Sequence, residues 1–311
     1  MKVLCIGHLT YDTTLKMDAY PDENEKYHLH TRIECGGGAA ANAGYLLSKW
    51  GMEVYIAGVA GKDYLGEEIK REFNDVGANT KYIQLDEGLH TDSSYIIANT
   101  SNGSRTILTA CDDKTNHKLN QDIEENFDYI ILDGDDYKFA EEMMKKNPNA
   151  ITILDAGNLR EGIKALAPKV DYLVCSHDFA EDYTNMKMDY NDRDSIIRIY
   201  DKLSESFSNT IIITLEATGS FTKINNKYET IPSIKIEHPV DSTGAGDIFH
   251  GAFAYFLMQK MPLEEILLLS NITGALSVEH IGGRYSMPKL EEVLSERKKL
   301  DILWLPVIRQ L

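Results

Sequence analysis

Short apolar runs alternate with helical patterns along most of the chain. Helical patterns end at 44–51 and span 65–77, where Gly77 supplies a C-cap. Buried strands are predicted at 2–7, 54–60, 128–135, 151–157, 171–176 and 209–216. Because strand-helix alternation is typical of a mostly parallel sheet covered on both faces, we predict an α/β fold.

Two stretches depart from this alternation. Residues 12–34 and 91–110 alternate polar and apolar positions, and the second contains an Asn102-Gly103 turn between two strand-like runs. We expect half-exposed antiparallel strands that together form one small sheet. Such a sheet would be a lid over the carboxyl ends of the main strands, where open α/β sheets bind ligands. We therefore treat 1–311 as a single domain with an inserted lid.

The most specific motif is PVDSTGAGDIFHGAF at 239–253. Its glycines, in the run Gly244, Ala245 and Gly246, let backbone amides point into one cavity at the start of a helix. Together with the helix dipole they form an anion hole suited to a transferring phosphoryl group. Asp247 lies at the same helix start and is placed to take a proton from an attacking hydroxyl.

The alternative interpretation of this turn is an ordinary N-cap with Asp247 as the capping residue. Two further polar groups, Asp241 and Thr243, crowd the same turn and favour the functional interpretation. A strand-like segment at 234–240 precedes the turn, and a helical pattern continues from Gly244 to about residue 297 with a break near 281–288.

The second motif is CGGGAAANAGYLLSKWG at 35–51. Small residues precede Asn42, so the backbone can approach a ligand closely while the amide offers both a donor and an acceptor. Sugar hydroxyls need such a group. Close packing of the following helix is the simpler alternative.

A dinucleotide site is a competing explanation, because Gly36, Gly38 and Ala41 fit the fingerprint G-x-G-x-x-G/A. That fingerprint requires an acidic residue at the end of the next strand, about 20 residues on. Here Glu53 lies at the wrong end of that strand and Asp63 lies beyond it. The sequence therefore disfavours dinucleotide binding.

Single residues add candidates. Asp12 follows the first strand, where a carboxylate can hold two hydroxyls, although an Asx-turn at the start of the lid is the alternative. Arg105 lies on the lid hairpin and could reach a phosphate or could be a solvated strand charge. We interpret His8 and His250 as packing residues.

Composition narrows the partners and the compartment. With 49 acidic and 32 basic residues the net charge is −17, which disfavours nucleic acid as a partner. No apolar run approaches the ~20 residues of a membrane span, and we expect no signal peptide. The four scattered cysteines contain no CxxC pair, so zinc and disulfide frameworks are disfavoured. We expect a cytoplasmic protein without a membrane partner.

Two segments, GGGAAAN at 36–42 and DSTGAGDIFHGAF at 241–253, resemble the signatures of the PfkB, or ribokinase-like, carbohydrate kinases. The resemblance extends over essentially the whole chain. It implies a Rossmann-like α/β body with a β-lid. It also implies transfer of the ATP γ-phosphate to the primary hydroxyl of a sugar, with Mg²⁺ and, in some members, K⁺.

The resemblance also assigns roles to individual residues. Asp247 corresponds to the general base, and Gly244, Ala245 and Gly246 correspond to the anion hole. Sugar-contacting positions correspond to Asp12, Gly37, Gly38 and Asn42, and from its place on the lid hairpin we add Arg105 as a candidate substrate contact. The segments 214–219, 271–277 and 282–288 fall where the family builds its nucleotide pocket and, in some members, a K⁺ site. From these segments and the glycine motif we expect the cofactor contacts Thr214, Glu216, Gly219, Thr243 and Asn271.

The sequence departs from the family pattern at two places. Family members often hold Mg²⁺ through an N-x-x-E motif, but Ser176 replaces the Asn and Phe179 replaces the acid. The residues that hold Mg²⁺ are therefore not assigned. Glu216 stands where Gly is usual, which narrows the expected nucleotide pocket.

The leading hypothesis is a sugar kinase acting on a ketose or furanose. Within the family, the lid resembles that of ketohexokinases, whereas the glycine motifs resemble those of sulfofructose kinases. A nucleoside kinase and a catalytically silent sugar sensor are the alternatives, and the intact GAGD sequence argues against the sensor. We also expect a homodimer through the lid, with Tyr95, Ile97 and Ile107 covered by substrate or partner.

Overall fold

The computed structural model describes residues 1–112 and 118–308. In chain order its strands are β1 Lys2–Ile6, β2 Thr10–Met17, β3 Arg32–Gly37, β4 Glu53–Gly61, β5 Asn79–Asp86, β6 Asp92–Asn99, β7 Ser104–Ala110, β8 Tyr129–Leu132, β9 Ile151–Ala156, β10 Tyr172–Ser176, β11 Thr210–Thr214, β12 Gly219–Ile224 and β13 Lys227–Pro232. Its helices are α1 Ala39–Lys49, α2 Tyr64–Asp75, α3 Tyr137–Lys146, α4 Glu161–Leu166, α5 His177–Thr184, α6 Arg193–Ser204, α7 Ala245–Met258, α8 Leu263–Ser277 and α9 Leu290–Ile308.

The strands form two sheets, which confirms the predicted α/β fold with a lid. The main sheet has the order β13-β12-β11-β10-β9-β8-β1-β4-β5, and every pairing from β11 to β5 is parallel. Strand β1 lies inside the sheet, third from the β5 edge. Because side chains alternate along a strand, Val3 and Cys5 enter one apolar core while Leu4 and Ile6 enter the other. Helices bury both faces, so β1 is apolar throughout.

The four-stranded lid has the order β3-β2-β6-β7. Its two outer pairs are antiparallel as predicted, but the central pair β2–β6 is parallel, with Thr10 opposite Asp92. The reason is that both insertions leave the main sheet at its carboxyl edge, β2 after β1 and β6 after β5. The two first strands therefore run in the same direction.

The region after β11 differs from the sequence prediction. A hairpin of β12 and β13 extends the sheet, whereas the predicted strand-like segment at 234–240 pairs with neither sheet. The amides of Val240 and Asp241 instead donate to the carbonyl of Val278, at the end of α8. The helical pattern that follows is interrupted between α7 and α8, where Lys260 has φ 56° and Pro262 precedes α8. None of the described helices is long and apolar enough to cross a membrane.

Candidate active site

The glycine motif forms an open helix N-terminus at the carboxyl edge of the main sheet. Gly244 has φ 75°, in the left-handed region that favours glycine, and α7 begins at the next residue. Gly246 is exposed, and among the described residues no heavy atom beyond its chain neighbours and its own helix backbone lies within 4 Å of the Cβ position that a side chain there would occupy. The Ala245 amide donates to the carbonyl of Ser242 at 3.3 Å, whereas the helix start at Gly246 is open to an anionic ligand.

Asp247 lies in the first turn of α7, beside these amides. Asn42 of α1 donates from Nδ2 to Asp247 Oδ2 at 2.8 Å. Burial raises the pKa of Asp247, while this hydrogen bond and the positive charges of His250 and Arg105 act in the opposite direction. A half-buried carboxyl with a raised pKa and a fixed partner is suited to accept a proton.

Asp12 belongs to the same cleft. It lies on β2 opposite Cys35 and Ser94 of the neighbouring lid strands. Burial raises its pKa to about 6; a hydrogen bond from Ser94 and the charge of Arg284 act to lower it, and the charge of Asp247 acts to raise it. A Cβ at Gly37 would lie 2.2 Å from Asp12 Oδ2, so this glycine makes room for the carboxylate.

Gly38 has a backbone role. Its φ is 100°, and a Cβ there would lie 1.9 Å from the carbonyl oxygen of His8, so only glycine fits the turn into α1. This turn places Asn42 one helical turn further on, facing Asp247. The structure therefore brings the predicted sugar-contacting positions and the predicted base to one place.

Arg105 connects the lid to the glycine motif. Its Nη1 donates to Ser242 Oγ at 2.7 Å, and Ser242 Oγ donates to the carbonyl of Gly103 at 3.0 Å. The guanidinium is exposed at the mouth of the cleft, close enough to Asp247 to influence its pKa. This place suits contact with a phosphate, although the exposure also agrees with a solvated strand charge.

The predicted nucleotide positions lie around the β12–β13 hairpin. Thr214 ends β11, and Glu216 is exposed in a 3-10 turn with φ 51°. Gly219 has φ 114°, and a Cβ there would lie 2.1 Å from the carbonyl oxygen of Ile231. Asn271 donates to that same carbonyl at 2.9 Å. Gly219 and Asn271 therefore shape the hairpin, whereas Thr214 and Glu216 border the open edge of the sheet.

The two departures from N-x-x-E have structural explanations. Ser176 caps α5: its Oγ accepts from the Phe179 amide at 3.0 Å and donates to the carbonyl of Gly157 at 2.8 Å. Phe179 is fully buried and stacks on Tyr183. Ser176 therefore stabilises the start of α5, and Phe179 packs in the core. Neither side chain faces a metal site.

Sequence reasoning missed two buried carboxylates, Asp133 and Asp155. Asp133 Oδ2 accepts from the amides of His8 and Ala40 at 3.0 and 3.2 Å, which fixes the floor of the cleft. Asp155 Oδ2 lies 3.1 Å from His250 Nδ1, and burial raises its pKa to about 7. Both residues end predicted strands, which is the signal that singled out Asp12.

His250 is buried, as expected of a packing residue, but it is also a polar link. Its Nδ1 lies 2.7 Å from the carbonyl oxygen of Gly246, and its Nε2 lies 3.1 Å from that of Val174. Because both ring nitrogens face acceptors, both act as donors when the imidazole is charged. A charged His250 beside Asp155 would support the helix start that carries Asp247.

Two oxygen-bearing side chains that suit a cation, Asp241 and Thr243, lie behind the glycine motif. Asp241 is 1% exposed and accepts from the amides of Thr243 and Gly282, each at 2.9 Å. The buried Thr243 Oγ1 has no hydrogen-bond partner among the residues that the structure describes. A carboxylate beside an unpaired hydroxyl oxygen is a donor set suited to a hard cation.

A helix N-terminus, a carboxylate and a lid at the carboxyl edge of an α/β sheet suit the transfer of a phosphoryl group to a hydroxyl group. The description "pfkB family carbohydrate kinase" matches residues 1–290, and the chain belongs to this family. It is therefore an enzyme, an ATP-dependent kinase of sugars or nucleosides.

Individual relatives agree with this assignment. The chain is 26% identical to a ribokinase of Lactococcus lactis, with 97% of this chain and 98% of that protein covered. It is 23% identical to a nucleoside kinase of Methanocaldococcus jannaschii, with 96% and 97% covered. The crystal structure of a putative ribokinase from Agrobacterium tumefaciens shares its fold, with a TM-score of 0.83, 24% identity, and 96% and 98% covered.

Proposed function

We propose that the enzyme phosphorylates the primary hydroxyl of a small sugar, a ketose or a furanose, with ATP. The observation that carries this proposal is the hydrogen bond from Asn42 to Asp247 beside the open N-terminus of α7. It places a proton acceptor, a hydroxyl-binding amide and an anion-binding helix end within one cleft.

The chemistry follows from this arrangement. The sugar hydroxyl oxygen attacks the γ-phosphorus, its proton passes to Asp247, and ADP leaves. The amides of Gly244, Ala245 and Gly246 stabilise the charge on the transferring group. Asp12 and Asn42 hold the other hydroxyls, Gly37 and Gly38 let the backbone approach, and Arg105 closes over the phosphate.

We propose that ATP lies along the β12–β13 hairpin, which Gly219 and Asn271 shape, next to Thr214 and Glu216 at the open edge and with Thr243 at the phosphate end. Mg²⁺ would arrive with the ATP phosphates and neutralise them, since Ser176 and Phe179 supply no carboxylate. Asp241 and Thr243 would hold a K⁺ ion, which the unpaired hydroxyl of Thr243 supports.

A nucleoside is the second candidate acceptor. Ile107 lies on the same lid face as Asp12 and is 47% exposed, so it offers the cleft an apolar contact for a base. An ATP-consumption screen against sugars and nucleosides, with and without K⁺, separates these acceptors. The Asp247→Asn variant is the control, because any turnover that survives it arises elsewhere. Turnover of no sugar and no nucleoside would contradict the proposal.

We further propose a single-domain cytoplasmic enzyme that dimerises through the lid. Tyr95 and Leu108 face each other across β6 and β7 on the outer lid face and are 53% and 58% exposed. The half-buried Leu15 and Ile97 extend this apolar face. A second copy would cover it symmetrically.

Light scattering at micromolar concentration tests the lid dimer. We expect a mass of about twice the 35.1 kDa chain, and a monomer for Tyr95→Lys combined with Leu108→Lys. A monomeric wild type, with and without sugar, would contradict the dimer and leave the lid as a simple flap.

A further inference from the structure

We propose that Arg284 is a positioning residue, which fixes the amide of Asn42 and thereby the orientation of Asp247. The inference rests on the proposed function of Asp247 as the base. Arg284 lies in the loop between α8 and α9 and is 3% exposed. It therefore acts on the reaction through Asn42.

The contacts of Arg284 hold its guanidinium in one place. Nε donates to Asn42 Oδ1 at 3.2 Å, and Nη1 donates to Glu72 Oε2 at 2.7 Å. The carbon at the centre of the guanidinium lies 4.8 Å from the ring centroid of Tyr45 and 4.4 Å from that of Phe73. A buried ion pair with two aromatic contacts leaves this planar group little freedom.

The polarity of these contacts decides which way the Asn42 amide faces. An arginine Nε only donates, so the Asn42 atom opposite it must be the carbonyl oxygen. The NH₂ group then faces Asp247, whose ionised carboxylate only accepts. The reversed amide would place one acceptor against another, and this favours the protonated acid. Arg284 thus selects the orientation that favours the ionised base.

The same contacts explain the first glycine of the GGG run. A Cβ at Gly36 would lie 2.3 Å from Arg284 Nη1, so a side chain there would push the guanidinium away. The Gly36 amide also donates to Glu72 Oε2 at 3.0 Å. Gly36, the first glycine of the sequence that fits the dinucleotide fingerprint, therefore makes room for the Arg284–Glu72 ion pair.

Steady-state kinetics of Arg284→Met and Arg284→Lys test the role. We expect kcat to fall roughly 10- to 100-fold, because small displacements of a catalytic group have effects of that size, while KM for ATP changes less than about twofold. Lysine retains the charge but lacks the fork that serves Glu72 and Asn42 together. Arg284→Lys with wild-type kcat would overturn the proposal.

Arg297→Met is the matched control, because Arg297 also pairs with a glutamate, Glu265, with Nε at 2.8 Å from Oε1. It should leave kcat unchanged. Since Arg284→Met leaves Glu72 without its cation, a second variant combines it with Glu72→Gln to preserve folding. Gly36→Ala provides a third test, in which Arg284 is present but displaced. We expect kcat to fall in both.

A double-mutant cycle with Asn42→Ala distinguishes positioning from a general structural effect. If Arg284 acts through Asn42, Arg284→Met should have less than about a twofold further effect on kcat in the Asn42→Ala background. Independent losses that multiply would overturn the proposal. A wild type that phosphorylates no sugar or nucleoside overturns the proposed function, whereas an active wild type with multiplying losses overturns only the role of Arg284.

Discussion

The two ends of the cleft are built differently. At the proposed sugar end, Asn42 is held between Arg284 and Asp247, and Gly37 makes room for Asp12. At the proposed nucleotide end, Thr214 and Glu216 border an open edge, and Glu216 is exposed at φ 51°. The first end is fixed by buried hydrogen bonds, whereas the second presents solvated side chains.

This difference corresponds to the needs of the two substrates. A sugar hydroxyl must meet the base and the phosphorus in a narrow geometry, which requires groups that are already in place. ATP brings its own phosphate charges, so we expect it to tolerate a looser site. Changes at the sugar end should therefore alter the rate and sugar binding strongly, and changes at the nucleotide end should have smaller effects.

The largest expected effect is at Asp247. Asp247→Asn removes the proton acceptor while it retains the shape of the side chain, so kcat should fall on the order of 10²–10⁴-fold. Isothermal titration should show ATP binding close to wild type, and circular dichroism should show an intact fold. If the purified variant keeps the wild-type kcat, Asp247 is not the base.

Sugar binding should depend on Asp12 and Asn42. Each lost hydrogen bond to a hydroxyl should weaken binding by roughly 0.5–1.5 kcal/mol, and more for the charged Asp12. KM for the sugar should therefore rise far more than KM for ATP in Asp12→Ala and Asn42→Ala. A change confined to KM for ATP would reverse the assignment of the two ends.

The buried carboxyl group of Asp12, at the proposed sugar end, should reduce the stability of the protein without substrate. The pKa of Asp12 is raised to about 6, so its ionisation destabilises the fold above that pH, and this penalty disappears as pH falls towards the unfolded value of about 4. Asp12→Asn should therefore increase the free energy of unfolding at pH 8 by about 3 kcal/mol. The gain should shrink between pH 6 and pH 4.

Chemical denaturation across this pH range measures the effect. Asp178→Asn, at an exposed position in the first turn of α5, is the matched control and should change stability little. A gain at Asp12→Asn that is equally large at pH 4 would show that the burial of the charge is not its cause.

The smallest expected effect is at Glu216. Glu216→Gly relieves a left-handed backbone conformation, so stability should rise by up to about 1 kcal/mol. KM for ATP should fall a few-fold because the pocket widens, and KM for the sugar should stay unchanged. Lys260→Gly, at φ 56° between α7 and α8, should give the same relief without a change in KM for ATP. A larger effect on the sugar than on ATP would contradict the placement of the nucleotide.

The sequence was sufficient where one local pattern decides the structure. The apolar run of β1, the turn before β7 and the glycine run before α7 each specify their element within a few residues. The strand-like pattern at 234–240 was misleading because β13 already pairs with β12 at that side of the sheet, and the end of the segment makes its hydrogen bonds to Val278 after α8.

The site was predictable only in part. Asp12, Asn42 and Asp247 lie at positions whose local sequence indicates their chemistry. Arg284, in contrast, is separated from Asn42 by 242 residues and from Glu72 by 212 residues. No local spacing relates residues so far apart. Asp133 and Asp155 lie at the ends of predicted strands, so the sequence pattern that identifies Asp12 as a candidate also identifies them.

The position of the lid strands in the sequence affects the order in which a growing chain can mature. All four lid strands are complete once residue 110 has been synthesised, whereas Asp247 and Arg284 are added only near the end. A ribosome-bound chain can therefore form the lid around β1, β4 and β5 while it still lacks the base. A chain that ends before Asp247 would contain all four lid strands but would lack the proposed base.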